Sequence, residues 1–116
     1  MELDEIKQAL REILREEERS ATAPLSPKWI GGQVVLQPHD KEKAPKSFTV
    51  DSFFHKIVMV RDRLRVLEAK LNAHPKLEDA DKVELQQHIT RIYGSLTTFN
   101  VLFREREDQF VGQKGD

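Results

Sequence analysis

Arg61, Arg63 and Arg65 stand at alternate positions in the middle of FFHKIVMVRDRLRVLEAKL, residues 53–71, and are the first candidates for chemistry in this chain. Guanidinium groups grip carboxylates and phosphates in bidentate fashion, so three of them raise the prospect of an acidic partner. On a helix Arg61 and Arg65 share one face, whereas Arg63 points to the opposite side. One straight helix therefore cannot gather all three into a single flat patch. Lys56, Arg63 and Lys70 share a broad, mostly solvent-facing side and alternate with Asp62 and Glu68, a pattern that favours salt-bridged or solvated faces over a nucleic-acid surface.

A second set of polar groups, Thr90, Tyr93, Thr97, Asn100 and Arg104, recurs at spacings of 3 and 4. Placed against Arg61 and Arg65, Tyr93 and Asn100 would line a polar interface and fix its register by hydrogen bonding. The four histidines, 39, 55, 74 and 88, have no partner histidine three or four residues away. The Glu-x-x-His repeats of a di-metal bundle are missing, so no metal site is expected. A P-loop, a dinucleotide glycine pattern and a nucleophile elbow are likewise missing, and there is no cysteine. The expectation is a protein without catalytic residues or cofactor.

These residues need elements to carry them. Residues 2–19 read as an amphipathic helix with Leu3, Ile6, Leu10 and Ile13 on one stripe, widened by Leu14. Seven acids and four bases in residues 1–27 would repel an anionic membrane, so the stripe suits a protein groove. Pro24 and Pro27 make residues 21–28 a linker that tethers this helix. QVVLQ (33–37) and KSFTV (46–50) read as the two strands of a small β-hairpin over 33–50, which must lean on helices for stability.

Two long helices follow. Over about 50–73, Thr49 is the expected N-cap, and Phe53, Ile57, Val60, Leu64, Leu67 and Leu71 form an unbroken heptad seam. Over about 79–108, Leu85, Ile89, Ile92, Leu96, Phe99 and Phe103 repeat the pattern, with Asp81 and Glu84 as a capping box or Asp79 as the cap. The fold class predicted is mainly α: an antiparallel, heptad-patterned helical hairpin with a small β-hairpin and a tethered N-terminal amphipathic helix. Residues 29–110 would form the single domain and 111–116 a disordered tail. Gly94 and the small residues after it mark a place where another backbone comes close.

Apolar residues remain outside the seams, among them Phe54, Val58, Val66, Val101, Leu102 and Phe110. The N-terminal helix could cover them in a three-helix bundle, or a second copy could do so in a homodimer, which the loose tether favours. Charge divides the chain into an acidic start, a middle (28–76) with ten bases against five acids, and an acidic end. No apolar run is long enough to cross a bilayer, which with the lack of cysteine suggests a cytoplasmic and, from compactness, bacterial protein. The function expected is non-enzymatic: a homodimeric scaffold or adaptor whose N-terminal helix docks on an as yet unidentified protein. The second reading is a nucleic-acid-binding dimer using the basic segment 41–70. A ligand site near Tyr93, Asn100 and the arginines is the third.

Overall fold

The structure is a computed structural model that describes residues 2–21 and 23–112, with the backbone alone for residues 13–21. The chain is mainly helical, with an N-terminal helix and one two-stranded antiparallel sheet. The N-terminal helix α1 spans Leu3–Ala21, with Asp4 and Glu5 in the first turn, where the helix dipole favours acids. The strands are β1 (Gln33–Leu36) and β2 (Lys46–Thr49), paired so that Val34 faces Phe48 and Leu36 faces Lys46. Gly31 precedes them at φ 79°, the left-handed conformation that glycine adopts without steric cost.

Helix α2 (Val50–Asn72) starts directly from β2. Thr49 caps it, its hydroxyl accepting from the Ser52 N–H at 3.1 Å. Helix α3 (Asp79–Ser95) starts at Glu78, which forms a capping box with Asp81. That differs from the sequence expectation of Asp79 or the Asp81–Glu84 pair: the reciprocal bonds require the acid three residues after the cap, and Asp81 stands there relative to Glu78. Contacts move up α3 and past its end as they move back along α2. Asn72 donates to Gln86 at 2.8 Å, Tyr93 donates to Glu68 at 3.3 Å, and the Phe53 ring meets Phe99 edge-on at 5.8 Å.

The predicted helix over 79–108 ends at Ser95, thirteen residues early. The Ser95 hydroxyl turns back to the Arg91 carbonyl, and the Thr97 hydroxyl takes the Gly94 carbonyl at 2.8 Å. Such side-chain bonds offer the backbone an alternative to further α-helical turns. A 3-10 segment, Thr97–Leu102, follows, and the chain then folds back as a strap over residues 103–112. Arg104 to Gln109 hold no apolar side chain, so a continued helix would have nothing to bury there. Folding back buries Phe103 and Phe110 instead. Phe103 stands edge-on to Phe54 at 5.1 Å and to Phe110 at 5.7 Å, a geometry worth about 0.5–1.5 kcal/mol per pair beyond area.

The segment 21–28, read as a linker, joins the core at Ala23 and Leu25. Ala23 is 1% exposed, and Leu25 pairs with Phe103 through an isolated β-bridge. The Ser26 N–H donates to Leu102 at 2.8 Å and the Arg104 N–H to Pro24 at 3.0 Å. Proline at 24 leaves its carbonyl free to accept there while losing no donor the bridge needs. The core therefore forms where α2, α3, the strap and the Ala23–Leu25 segment meet. Gly112, inside the expected disordered tail, is packed too: a Cβ there would overlap the Thr90 carbonyl and come within 2.6 Å of the Gly94 nitrogen. Residues 113–116 of that tail lie outside the described residues.

Candidate functional site

The arginines part company in the fold. Arg61 is 4% exposed, its Nε donating to the Asp108 carbonyl at 2.7 Å, while Nη2 lies 3.4 Å from the Asp108 carboxylate. Its Nη1 meets the Asp62 carboxylate at 2.7 Å. Burying a guanidinium is tolerated only with this degree of pairing. Arg63 and Arg65 are exposed. The carboxylates that the buried arginine meets are thus Asp62 on its own helix and Asp108 on the strap.

Asn100 holds the strap at a second point. Its Oδ1 accepts from the Phe110 N–H at 2.7 Å and its Nδ2 donates to the Phe110 carbonyl at 2.9 Å, so one side-chain amide mimics a strand partner. The residues proposed for a polar interface therefore do gather, but within one chain. Arg61, Arg65 and Tyr93 line a cleft of about 260 Å³ together with Glu68, Thr90 and strap residues Glu107, Gln109, Phe110 and Val111. Asn100 seats the strap that closes one side of it.

Much of the cleft's polar lining is spent on itself. Glu68 accepts from Gln86 at 2.6 Å and from the Tyr93 hydroxyl, and Arg61 is held by Asp62 and Asp108. Burial raises the Tyr93 pKa above its ordinary value. The neighbouring Glu68 charge and the hydrogen bond to Glu68 push the same way, against the smaller opposing pull of Arg65 and Arg61. The result is a neutral hydroxyl anchored to a carboxylate, a structural arrangement more than a reactive one.

Strap residues Asp108, Gln109 and Phe110 were not legible as partners of Arg61 and Asn100. Phe110 keeps the seven-residue spacing from Phe103, and only Arg106, at the seam position between them, interrupts the pattern.

The predicted docking stripe lies open. Leu3, Ile6 and Leu10 are 41–65% exposed, and none belongs to the core cluster. The side chains of Ile13 and Leu14 lie outside the described residues.

The seam residues divide into three groups. Ile57, Ile89 and Phe103 are buried; Phe53, Leu64, Leu71, Leu96 and Phe99 are half-buried. Val60, Leu67, Leu85 and Ile92 are exposed. The exposed four lie away from the strap. At about 100° per residue, Val60 and Leu67 are roughly 100–120° around α2 from strap-bound Arg61, and Ile92 is roughly 160° around α3 from Thr90.

The basic segment 41–70 is spread over the β2 side and α2. Lys41, Lys43 and Lys46 are exposed, the Lys46 ammonium standing 5.6 Å over the Phe48 ring. Lys28 stands 5.2 Å over Trp29, whose indole N–H donates to the Val101 carbonyl at 2.9 Å. All four histidines are exposed, and among the described residues no group of three His, Asp or Glu side chains is close enough to hold a metal ion. No described helix is long and apolar enough to cross a membrane.

Comparison with known proteins returns no match among curated proteins or solved structures. One family model does match, over residues 19–109, and it is described as a domain of unknown function, DUF8685. The match takes in β1, β2, α2, α3 and most of the strap while leaving Leu3, Ile6 and Leu10 outside it. With most of its length covered by that model, the chain belongs to the DUF8685 family.

Proposed function

We propose that this protein is a non-enzymatic protein–protein interaction module: a homodimeric helical scaffold, built on a heptad-patterned hairpin of α2 and α3, that works through its N-terminal docking helix. The observation that carries this reading is the exposed apolar stripe Leu3, Ile6 and Leu10, on a helix that begins ahead of the family domain. Leaving a Leu or Ile side chain in water forgoes about 1.5–3 kcal/mol each, which a partner groove recovers. The apolar residues left open on α2 and α3 give a second copy something to cover. A cytoplasmic, bacterial setting suits the reading and is part of the proposal.

Light scattering after size exclusion on the full chain tests it. A two-chain mass is expected; a stable one-chain mass at all concentrations contradicts the dimeric scaffold.

One observation favours a second reading, nucleic-acid binding by the basic middle segment. Lys46 over exposed Phe48, with Lys41 and Lys43 nearby in sequence, combines positive charge with a stacking surface. Binding to single-stranded oligonucleotides that falls steeply with salt would support it. No binding at low salt removes it.

A further inference from the structure

Two apolar surfaces of this molecule lack cover, and they are complementary. One is the stripe of α1. The other is the strip across α2 and α3 formed by Val60, Leu67, Leu85 and Ile92, each 38–52% exposed. We infer that α1 of each chain docks on the α2–α3 strip of a second copy, so that the dimer is built by reciprocal exchange of N-terminal helices. This deepens the dimeric-module reading, and rests on it, by naming the partner of the docking helix.

Charge points to this occupant. Lys56, Arg63 and Lys70 border the strip at the i±3 and i±4 neighbours of Val60 and Leu67. All three are exposed, and none forms an ion pair among the described residues. By sequence α1 is net acidic, with Asp4, Glu5, Glu12, Glu16, Glu17 and Glu18 against Lys7, Arg11, Arg15 and Arg19. An acidic amphipathic helix meets an apolar strip whose α2 edge is basic, a match of net charge that steers encounter.

The chain's own helix is badly placed for the same role. Ala23, two positions after the last residue of α1, is buried, and Pro24 and Ser26 are bonded to Arg104 and Leu102. That anchor is bonded to the start of the strap, and although α1 comes near α2 of its own chain, its stripe stays in the open. A second copy has no such restraint. Reciprocal docking about a two-fold axis also closes the assembly at two chains, since each copy gives one helix and receives one.

Two full-length variants test the inference by light scattering: Ile6→Gln with Leu10→Gln on the stripe, and Leu67→Gln with Ile92→Gln on the strip. All four positions are exposed, so the fold should survive, which far-ultraviolet circular dichroism checks. The expected result is a twofold loss of mass, from two chains to one, in both variants, with rising salt weakening the native dimer. A strip variant that is monomeric beside a stripe variant that stays dimeric means the strips pair with each other; it overturns helix exchange and leaves the dimeric module standing. Dimers in both variants, or in the strip variant alone, also overturn helix exchange. A native chain that is monomeric overturns both the exchange and the module.

Discussion

Arg61 reaches 47 residues along the chain to donate its Nε to the Asp108 carbonyl at 2.7 Å, with its guanidinium also facing the Asp108 carboxylate. The contact joins the middle of α2 to the strap and decides the course of the last part of the fold. Arg61→Ala leaves Asp108 buried without its cation, and breaking a buried pair in this way costs about 3–5 kcal/mol. Asp108→Asn keeps the backbone carbonyl bond and loses only the longer charged contact, so about 1.5 kcal/mol is expected. Urea unfolding of the two variants should therefore rank Arg61→Ala well below Asp108→Asn. Equal losses would mean that the carboxylate, not the carbonyl, dominates.

Asn100 supplies both partners of the Phe110 peptide group. Asn100→Ala strands a half-buried donor and acceptor and should cost about 1–3 kcal/mol. The loss should be local first: hydrogen exchange at the Phe110 amide should accelerate more than exchange in α2. Uniform acceleration would show that the strap does not open separately.

Gly112 sits against the backbone of α3 at Thr90 and Gly94, with no room for a side chain. Gly112→Ala should lower stability by about 1–3 kcal/mol through overpacking, visible as a reduced melting temperature. An unchanged melting temperature would show that this end of the strap is not fixed against α3.

Tyr93 is the sole tyrosine, so phenolate absorbance reports it alone. Its pKa should lie above the ordinary value of about 10, because burial and Glu68 both disfavour the anion. The sign for stability follows directly. An unfolded tyrosine gives up its proton first, so the contribution is intact below about pH 10 and is lost as pH rises through the higher folded value. Glu68→Gln should bring the titration back down. A midpoint at or below the free value would contradict the geometry of the cleft.

Much of the local structure was legible. Thr49 as a cap, the paired strands around QVVL and KSFT, and the start of α2 all follow from capping chemistry and β-branched composition. The end of α3 did not follow, because Leu96, Phe99 and Phe103 keep the heptad spacing in sequence while the backbone has already left the α-helix. Spacing records only which residues are apolar; it does not say that Phe103 is buried from an extended segment beside Leu25. Pro24 was likewise ambiguous, since a proline suits a loose linker and a fixed extended segment alike. The polar cluster was found in part: Tyr93, Asn100 and the arginines stood out, but Asp108 did not, because its pairing with Arg61 needs a chain reversal that no local signal encodes.

The most direct test of helix docking uses a labelled peptide of residues 2–21 added to the full-length Ile6→Gln, Leu10→Gln chain, with fluorescence anisotropy as the readout. Saturable binding that weakens with salt, and is lost when Leu67→Gln and Ile92→Gln are added to the chain, is the predicted result. Absence of binding, or equal binding by a peptide carrying the same Ile6→Gln and Leu10→Gln changes, would contradict it.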